Sequence, residues 1–245
     1  MSARCSFVIA ALALGACEKA SERAPVIEAP GIAVGAQVTV RTDAIGVDPL
    51  CQPRLRRVGD KLVPDVPIEC VGKPPDPART PSATFALVHA DNGGDEDADV
   101  TLGGVLVDAD GHEVGRLAPD RLRIPAHGRR TFALVDDGRQ ARPTATDARI
   151  DVRAATRAEH PETVRITDGE VTSVGGQVIA SGTVENLTDR AAQAVVIAGF
   201  QDAAGKPLTR PFALYDLGPH AKKAAVFTGP PGTATGYIFV GQVEF

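Results

Sequence analysis

The feature that most constrains this chain is an internal repeat. Residues 86–125 align with residues 180–219 without a gap, and most of the identical residues are turn formers. Backbone geometry selects asparagine, aspartate and glycine at turns, whereas strand positions need only remain apolar. Two copies of one fold explain this pattern better than a shared composition does. The matching pairs include Ala86/Ala180, Asn92/Asn186, Asp95/Asp189, Asp108/Asp202, Ala109/Ala203, Gly111/Gly205, Arg116/Arg210 and Pro125/Pro219.

Each copy reads as a series of short strands. Runs such as 100–107 and 194–200 are rich in apolar and β-branched residues. Turn-forming residues such as Gly, Asn and Asp separate these runs about every 8–12 residues. No run keeps a helical period over ten residues. We predict an all-β protein with two tandem immunoglobulin-like β-sandwich domains, 36–155 and 163–245. A Pro-rich segment, 48–81, is expected to be irregular. The large core anchors expected in the second copy are Phe200, Phe212, Tyr215, Phe227, Tyr237 and Phe239.

Several local patterns of the second copy have a family counterpart. They are Gly-Thr-Val-Glu-Asn at 182–186, Phe-Gln-Asp-Ala-Ala-Gly at 200–205, Leu-Gly-Pro at 217–219 before Val226-Phe227, and Phe-Ala-Leu-Tyr-Asp at 212–216. In these features the second copy resembles the FxLYD-type modules of exported bacterial and archaeal proteins. The first copy keeps the hairpin at 108–111 and the Pro turn at 124–128, with Leu106 in place of the aromatic residue. The resemblance implies a β-sandwich and brings no catalytic residues with it.

The N-terminal residues have the composition of an export signal. Arg4 precedes an apolar run of about ten residues, whereas a transmembrane helix needs about 20. The run ends in Leu-Gly-Ala-Cys at 14–17, so the segment resembles a bacterial lipoprotein signal. That resemblance implies cleavage after residue 16 and lipidation of Cys17; an ordinary secretory signal is the alternative. Residues 17–35 then read as a flexible tether, and Glu18, rather than Asp, after the cysteine favours the outer membrane.

The positions of the four cysteines in the chain indicate different roles for them. Cys5 leaves with the signal and Cys17 takes the lipid, so Cys51 and Cys70 remain in an oxidising compartment. We predict a Cys51–Cys70 disulfide, which closes a loop of roughly 20 residues and stabilises the fold by about 3 kcal/mol. A zinc site would need more ligands than these two thiolates, and a redox pair would favour closer spacing.

The titratable clusters are each explained by ordinary structure. An acidic loop could bind Ca²⁺ but lacks the spacing of a dedicated calcium loop, and the hairpin at 108–111 has only the start of that spacing. We interpret both as solvated turns and predict no metal site. The loop residues are Asp91, Asp95, Glu96, Asp97 and Asp99.

The five histidines, His89, His112, His127, His160 and His220, are interpreted as exposed turn residues. An alternative is an anion or partner site where His127 and His220 neighbour basic residues, namely Arg129, Arg130, Lys222 and Lys223. Ser181 lacks the surroundings of a catalytic nucleophile, and phosphate loops and dinucleotide fingerprints are missing from the sequence. No catalytic residue and no cofactor are predicted.

The net charge and the observations above together indicate which partners and which class of protein to expect. The net charge of −5 and the pI of 5.6 argue against nucleic acid as a partner. We expect a non-enzymatic envelope lipoprotein that contacts the membrane through its N-terminal lipid and acts as a structural or interaction module for another envelope protein. Two alternatives stay open: a receptor for a small ligand, metal or anion, and an envelope hydrolase.

Overall fold

The structure is a computed structural model that describes residues 26–29, 31–44, 54–58, 61–65 and 81–245. The expected signal segment and the three cysteines assigned above, Cys17, Cys51 and Cys70, lie outside the described residues. Strands and turns make up the described residues, so the prediction of an all-β fold is confirmed. Within these ranges, no helix is long and apolar enough to span a membrane.

The strands are numbered here in chain order. They are β1 (Val26–Ile27), β2 (Ile32–Ala44), β3 (Arg54–Val58), β4 (Lys61–Asp65), β5 (Ser82–Asn92), β6 (Ala98–Val107), β7 (Glu113–Ile124), β8 (Arg129–Val135), β9 (Asp147–Arg157), β10 (Val164–Val174), β11 (Gln177–Asn186), β12 (Ala192–Gln201), β13 (Pro207–Thr209), β14 (Phe212–Leu217), β15 (Lys222–Thr228) and β16 (Thr235–Glu244).

The first sandwich packs two sheets face to face. One sheet has the order β2-β5-β8 and the other the order β1-β9-β6-β7. Alternate residues of each strand point inward, as the period of two requires. The core between the sheets contains fully buried side chains such as Val88, Val100, Leu106 and Phe132. Few aromatic residues are available, so aliphatic side chains fill most of this core, as the composition predicts.

The second sandwich repeats the same topology. Its sheets have the orders β10-β11-β15 and, around β12, β16 on one side with β13 and β14 on the other. Strands β10, β11 and β15 therefore correspond to β2, β5 and β8, and β16, β12 and β13–β14 correspond to β9, β6 and β7. Val184, Val196, Phe200 and Leu217 are buried between these sheets. The prediction of two tandem β-sandwiches is thus confirmed.

The gapless alignment is wrong by one residue at its C-terminal end. In the first sandwich the pairing of β6 with β7 shifts between Leu102 and Gly104, so β7 carries one extra residue in a β-bulge. The pairing of β12 with β14 is regular. Beyond the bulge Asp120 corresponds to Ala213, because each pairs with the same position of the preceding strand. Pro125 therefore corresponds to Gly218, not to Pro219.

The repeated asparagines hold the ends of β5 and β11. The Asn92 side-chain amide donates to the carbonyls of Glu96 (2.7 Å) and Pro125 (3.2 Å), and its oxygen accepts the Gly94 N–H (3.0 Å). Asn186 does the same with Arg190 (2.7 Å), Gly218 (2.9 Å) and Thr188 (3.0 Å). Both asparagines are buried. Their repetition has a structural cause, because a buried amide with all its hydrogen bonds made tolerates no replacement without loss.

Three local expectations are corrected. Strands β3 and β4 form an antiparallel pair inside the Pro-rich segment that we expected to be irregular, because their five residues each pair in regular register, from Arg54 with Asp65 to Val58 with Lys61. Within the expected tether, β1 pairs in parallel with β9, and β2 already starts at Ile32. Phe212, expected as a core anchor, is 65% exposed because it occupies an outward position of β14.

Candidate functional site

The hairpin of Asp108, considered above as the start of a cation loop, is a hydrogen-bonded turn. One Asp108 carboxylate oxygen, Oδ1, accepts the N–H groups of Asp110 (3.0 Å) and His112 (2.8 Å). The Asp202 carboxylate oxygen accepts those of Ala204 and Lys206, each at 2.9 Å. The ligand atoms of Asp108, Asp110 and His112 lie within 4.8 Å of one another. Their closeness follows from the turn geometry, and the second hairpin makes the same turn without the second acid and the histidine.

Each carboxylate of the acidic loop contacts a basic side chain of its own. Asp91 binds Arg129 (2.6 Å), Asp97 binds Arg123 (2.7 Å), and the other three acids likewise contact one cationic or ionisable side chain each. These further pairs are Asp95 with His127 (3.1 Å), Glu96 with Arg157, and Asp99 with Arg121 (2.8 Å). In the loop that we interpreted as solvated, each acid thus also contacts a basic side chain. Five carboxylates that each have their own partner are poorly placed to converge on a cation.

Besides its ion pair with Arg123, Asp97 accepts a backbone hydrogen bond that supports the fold. Burial alone would raise its pKa, but hydrogen bonds from the Ala126 N–H (3.0 Å) and the Arg123 guanidinium outweigh burial and lower the pKa. Asp97 thereby ties the acidic loop to the Pro turn between β7 and β8. This carboxylate serves the fold of the first sandwich and stays ionised while doing so.

At the two Pro turns, where an anion or partner site was the alternative to exposed turn residues, the histidines are exposed and contact carboxylates. His127 and His220 occupy the same turn position with positive φ, 54° and 52°, and they contact Asp95 (3.1 Å) and Asp189 (2.7 Å). Nearby cations are also engaged: Lys222 binds Glu185 at 3.0 Å, and Arg129 binds Asp91. Glu185 has a lowered pKa because Lys222 and Arg165 both hydrogen-bond to its ionised carboxylate.

A polar cluster joins the two sandwiches and was not predicted. Thr131 Oγ1 lies 3.1 Å from His89 Nδ1 and 2.5 Å from the hydroxyl of Tyr237, and this hydroxyl lies 3.2 Å from His89 Nδ1. We call His89, Thr131 and Tyr237 the junction triad. His89 is buried in β5, so its interpretation as an exposed turn residue was wrong. An outward-facing strand position became buried here because the second sandwich covers it.

Burial controls the protonation of the triad. Desolvation and the nearby Arg129 lower the pKa of His89 to about 4, although Asp91 opposes them. Desolvation raises the pKa of Tyr237 to about 12, against the hydrogen bond from Thr131. Both side chains are therefore neutral at pH 7. His89 Nε2 is buried without a hydrogen-bond partner in the described structure, which makes this imidazole a costly group to charge.

Apolar and charged contacts extend the junction around the triad. Ile197 and Phe239 of the second sandwich pack into the core cluster of the first, and the Arg130 guanidinium lies over the Phe239 ring, 4.7 Å from its centroid. The rim is polar. Thr39 donates to the carbonyl of Pro207, Arg41 to that of Leu208 (3.2 Å), and Arg210 lies 3.6 Å from Asp120. Such an interlocked interface favours one fixed arrangement of the two domains.

The main apolar surface beside this junction lies on β14. Phe212 is 65% exposed and Leu214 is 60% exposed, and both point to the outer face of their sheet. Strand β14 is an edge strand, because β12 is the one strand with which it pairs among the described residues. A cleft of about 240 Å³ adjoins it, between Leu122 of the first sandwich and Val195 and Phe212 of the second. An unpaired strand edge with apolar side chains is the usual place for another strand to add.

Comparisons with known proteins leave the function open. Neither a protein-family model nor a curated protein matches the chain. Among solved structures, red sea bream transglutaminase is 12% identical at a TM-score of 0.23, and the match covers 80% of this chain but 27% of that protein. The tandem CBM22-1–CBM22-2 domains of Paenibacillus barcinonensis Xyn10C are 9% identical at a TM-score of 0.14, covering 86% and 85% of the two chains. Likenesses this weak carry no argument about activity.

A sequence signal for the free edge exists in retrospect. The string Phe-Ala-Leu-Tyr-Asp at 212–216 has apolar residues on both faces of one strand, whereas a strand with one solvated face alternates with polar residues. The triad has no such signal, since one histidine, one threonine and one tyrosine at distant positions form no pattern. Ser181 lies within β11, opposite Val226 of β15.

Proposed function

We propose that this chain is a lipid-anchored, non-enzymatic interaction module of the bacterial cell envelope. Cys17 carries the lipid, the residues after it cross the gap to the folded part, and two locked sandwiches present a protein-binding surface. The free edge of β14 is that surface. The lipobox-like sequence before Cys17 supports the anchor, and the apolar edge supports the interaction.

One observation supports the interaction role most directly. Phe212 and Leu214 stay exposed on an unpaired strand edge, while Ile197 and Phe239 on the same sheet face are covered by the first sandwich. Adjacent exposed apolar side chains on a strand edge invite strand addition, and folded proteins usually cover or charge such edges. An edge left in this state fits a surface that is covered when a partner binds.

The engagement of the polar groups supports a non-enzymatic role. A catalytic acid or base needs a tuned pKa and access to substrate. The titratable side chains with the largest pKa shifts, His89 and Tyr237, are enclosed between the sandwiches, and four of the five acids of the acidic loop pair with arginines. These groups contribute to folding and docking, which leaves them poorly suited to chemistry on a substrate.

Photo-crosslinking in intact cells tests the interaction. A benzophenone amino acid replaces Leu214 in the full-length chain, and the same residue replaces Val226, which is equally exposed on β15. We expect protein adducts from position 214 and few from position 226. Equal yields from both positions, or no adduct from either, would contradict the proposed surface.

The anchor and the disulfide need separate experiments. Mass spectrometry of the mature N-terminal peptide should find Cys17 acylated, and Cys17→Ser should move the protein from the membrane to the soluble fraction. Non-reducing peptide mapping should find Cys51 linked to Cys70. An unmodified Cys17 in the membrane fraction would remove the anchor from the proposal.

Calorimetry separates the receptor alternative from the interaction role. Ca²⁺ and inorganic phosphate are titrated separately into the full chain, with an Asp108→Asn variant as control for the Asp108 hairpin. We expect no heat from either ion at millimolar concentration. Saturable heat that Asp108→Asn abolishes would favour a cation receptor instead.

A further inference from the structure

Arg210, between β13 and β14, is a largely buried cation with few polar contacts. Its side chain is 14% exposed, and its Nε is buried without a hydrogen-bond partner among the described residues. The nearest carboxylate oxygen in this part of the chain, on Asp120, lies 3.6 Å from the guanidinium, beyond the distance of a hydrogen bond. Burial lowers the pKa of Arg210, against the attraction of Asp120. A guanidinium stays charged and has five N–H donors, so one that is buried with unused donors gains from a further acceptor.

Arg210 lines the cleft of about 240 Å³ where the two sandwiches meet. The other charged residues of its lining are Asp120 and Arg121, and Arg121 is already bound to Asp99 (2.8 Å). At about 30 Å³ for each water molecule, this space holds roughly eight, which suits a ligand of about eight non-hydrogen atoms. The cleft thus combines one cation that has unused donors with apolar walls. These walls are formed by Leu122, Val195, Ile197 and Phe212.

A glycine at a β-bulge leaves room in this cleft. Gly241 is the extra residue of β16, where its pairing with β12 shifts register. The first sandwich has the same bulge in β9, and there the extra residue is Arg153, whose side chain lies across Gly103. The second sandwich reverses these sizes: Ile197 stands where Gly103 does, and no side chain extends from Gly241. Bulges commonly reshape a sheet beside a binding site, and this one frees space in the cleft that Arg210 lines.

We propose that this cleft binds a small carboxylate with an apolar body. The carboxylate accepts hydrogen bonds from the terminal nitrogens of Arg210, and the apolar body packs against Leu122, Ile197 and Phe212. Inorganic phosphate has no apolar body for these walls, which agrees with the absence of heat expected above. A free short-chain acid and the C-terminal residue of a peptide share the required chemistry. The site goes beyond the proposed interaction function and does not depend on it.

Nuclear magnetic resonance locates the site. The full-length chain with Cys17→Ser, which has no lipid and avoids a detergent that would compete for the ligands, is titrated with hexanoate and with hexanamide, its uncharged counterpart. N-acetylalanine, which presents the same group as the C-terminus of a peptide, is titrated in parallel. We expect saturable shifts of the Gly241 and Gln242 amide signals with hexanoate, with a dissociation constant of about a millimolar. Hexanamide should bind at least about tenfold more weakly, because it lacks the charge.

Three substitutions test the role of Arg210, and circular dichroism verifies that each variant is folded. Arg210→Met removes the donors and should weaken hexanoate binding at least about tenfold. Asp120→Asn removes the charge that competes for Arg210 and should tighten binding about threefold, while the asparagine oxygen can still accept the Ala133 N–H (3.2 Å). Arg121→Gln is the matched control, because Arg121 lines the same cleft but is bound to Asp99, and it should change binding less than about twofold.

The outcomes decide the proposal in either direction. Shifts at Gly241 that need the carboxylate, weaken in Arg210→Met and strengthen in Asp120→Asn support it, and the tighter of hexanoate and N-acetylalanine identifies the source of the ligand. Equal shifts with hexanamide, or unchanged binding in both Arg210→Met and Asp120→Asn, overturn the role of Arg210. No saturable shift with either acid overturns the site. The photo-crosslinking at position 214 is independent of all these results, so the interaction module stands or falls separately.

Discussion

Acid should loosen the junction between the two sandwiches through one histidine. His89 has a pKa of about 4 in the folded protein against 6.5 for an unperturbed imidazole, chiefly because burial disfavours the charged ring. Between pH 6.5 and pH 4, the unfolded chain therefore binds a proton at His89, whereas the imidazole in the folded chain stays neutral. Stability contributed by the neutral ring is fully present above pH 6.5 and is lost as the pH falls towards 4.

The size of this effect follows from the shift. Each pKa unit corresponds to about 1.4 kcal/mol, so a shift of this size costs up to about 3 kcal/mol in the free energy of unfolding between pH 6.5 and pH 4. His89→Leu removes the titrating group and the unpartnered Nε2, while Thr131 and Tyr237 can still hydrogen-bond to each other (2.5 Å). The variant should lose about 3 kcal/mol less than the wild type over the same range.

Tyrosine fluorescence makes the junction observable during this titration. The chain has no tryptophan and two tyrosines, one of which is Tyr237 in the triad. Urea unfolding at pH 7, 5.5 and 4, followed by fluorescence and circular dichroism, gives the free energy of unfolding for both proteins. Comparing the two slopes cancels the carboxylates that titrate in the same range. Parallel slopes for wild type and His89→Leu would refute the reasoning.

Two further predictions concern packing and turn structure. In Gly199→Ala the new Cβ would lie 2.4 Å from Thr131 Oγ1 and should cost about 2 kcal/mol, whereas in Gly218→Ala the nearest atom is 4.0 Å away and the thermal midpoint should barely change. Asn186→Ala removes the side-chain hydrogen bonds to the carbonyls of Arg190 and Gly218 and should cost about 2 kcal/mol by urea unfolding, with a similar loss for Asn92→Ala. Equal stability of the two glycine variants, or an unaffected asparagine variant, would contradict these assignments.

The sequence could predict the fold because turns carry their own signature. Asn92 and Asp108 are selected by hydrogen bonds to their own neighbouring backbone, so their repetition reveals the second copy. The bulge in β7 could not be found this way, since one inserted residue between strongly matching turns leaves a plausible gapless alignment. Only the pairing of Leu102 with Asp120 and of Gly104 with Leu117 reveals it.

The junction and the free edge of β14 could not be predicted from turn residues or strand patterns, for a different reason. Alternation along a strand tells which side chains share a face, but it does not tell what covers the outer face. His89 therefore looked exposed and is buried, and Phe212 looked buried and is exposed. His89 is buried by contact between the sandwiches, whereas Phe212 is exposed because its position on β14 faces away from the core of its own sandwich.

The two copies differ at the residues that dock them against each other. At the junction, the first sandwich contributes His89 and Thr131, and the second contributes Tyr237 and Phe239. The corresponding positions follow from the same strand pairings and are Thr183 and Ala224 in the second sandwich, and Arg149 and Asp151 in the first. Neither set repeats the docking residues, so the two copies cannot exchange places at the junction. The sequence differences between the copies therefore fix which faces of the two sandwiches meet.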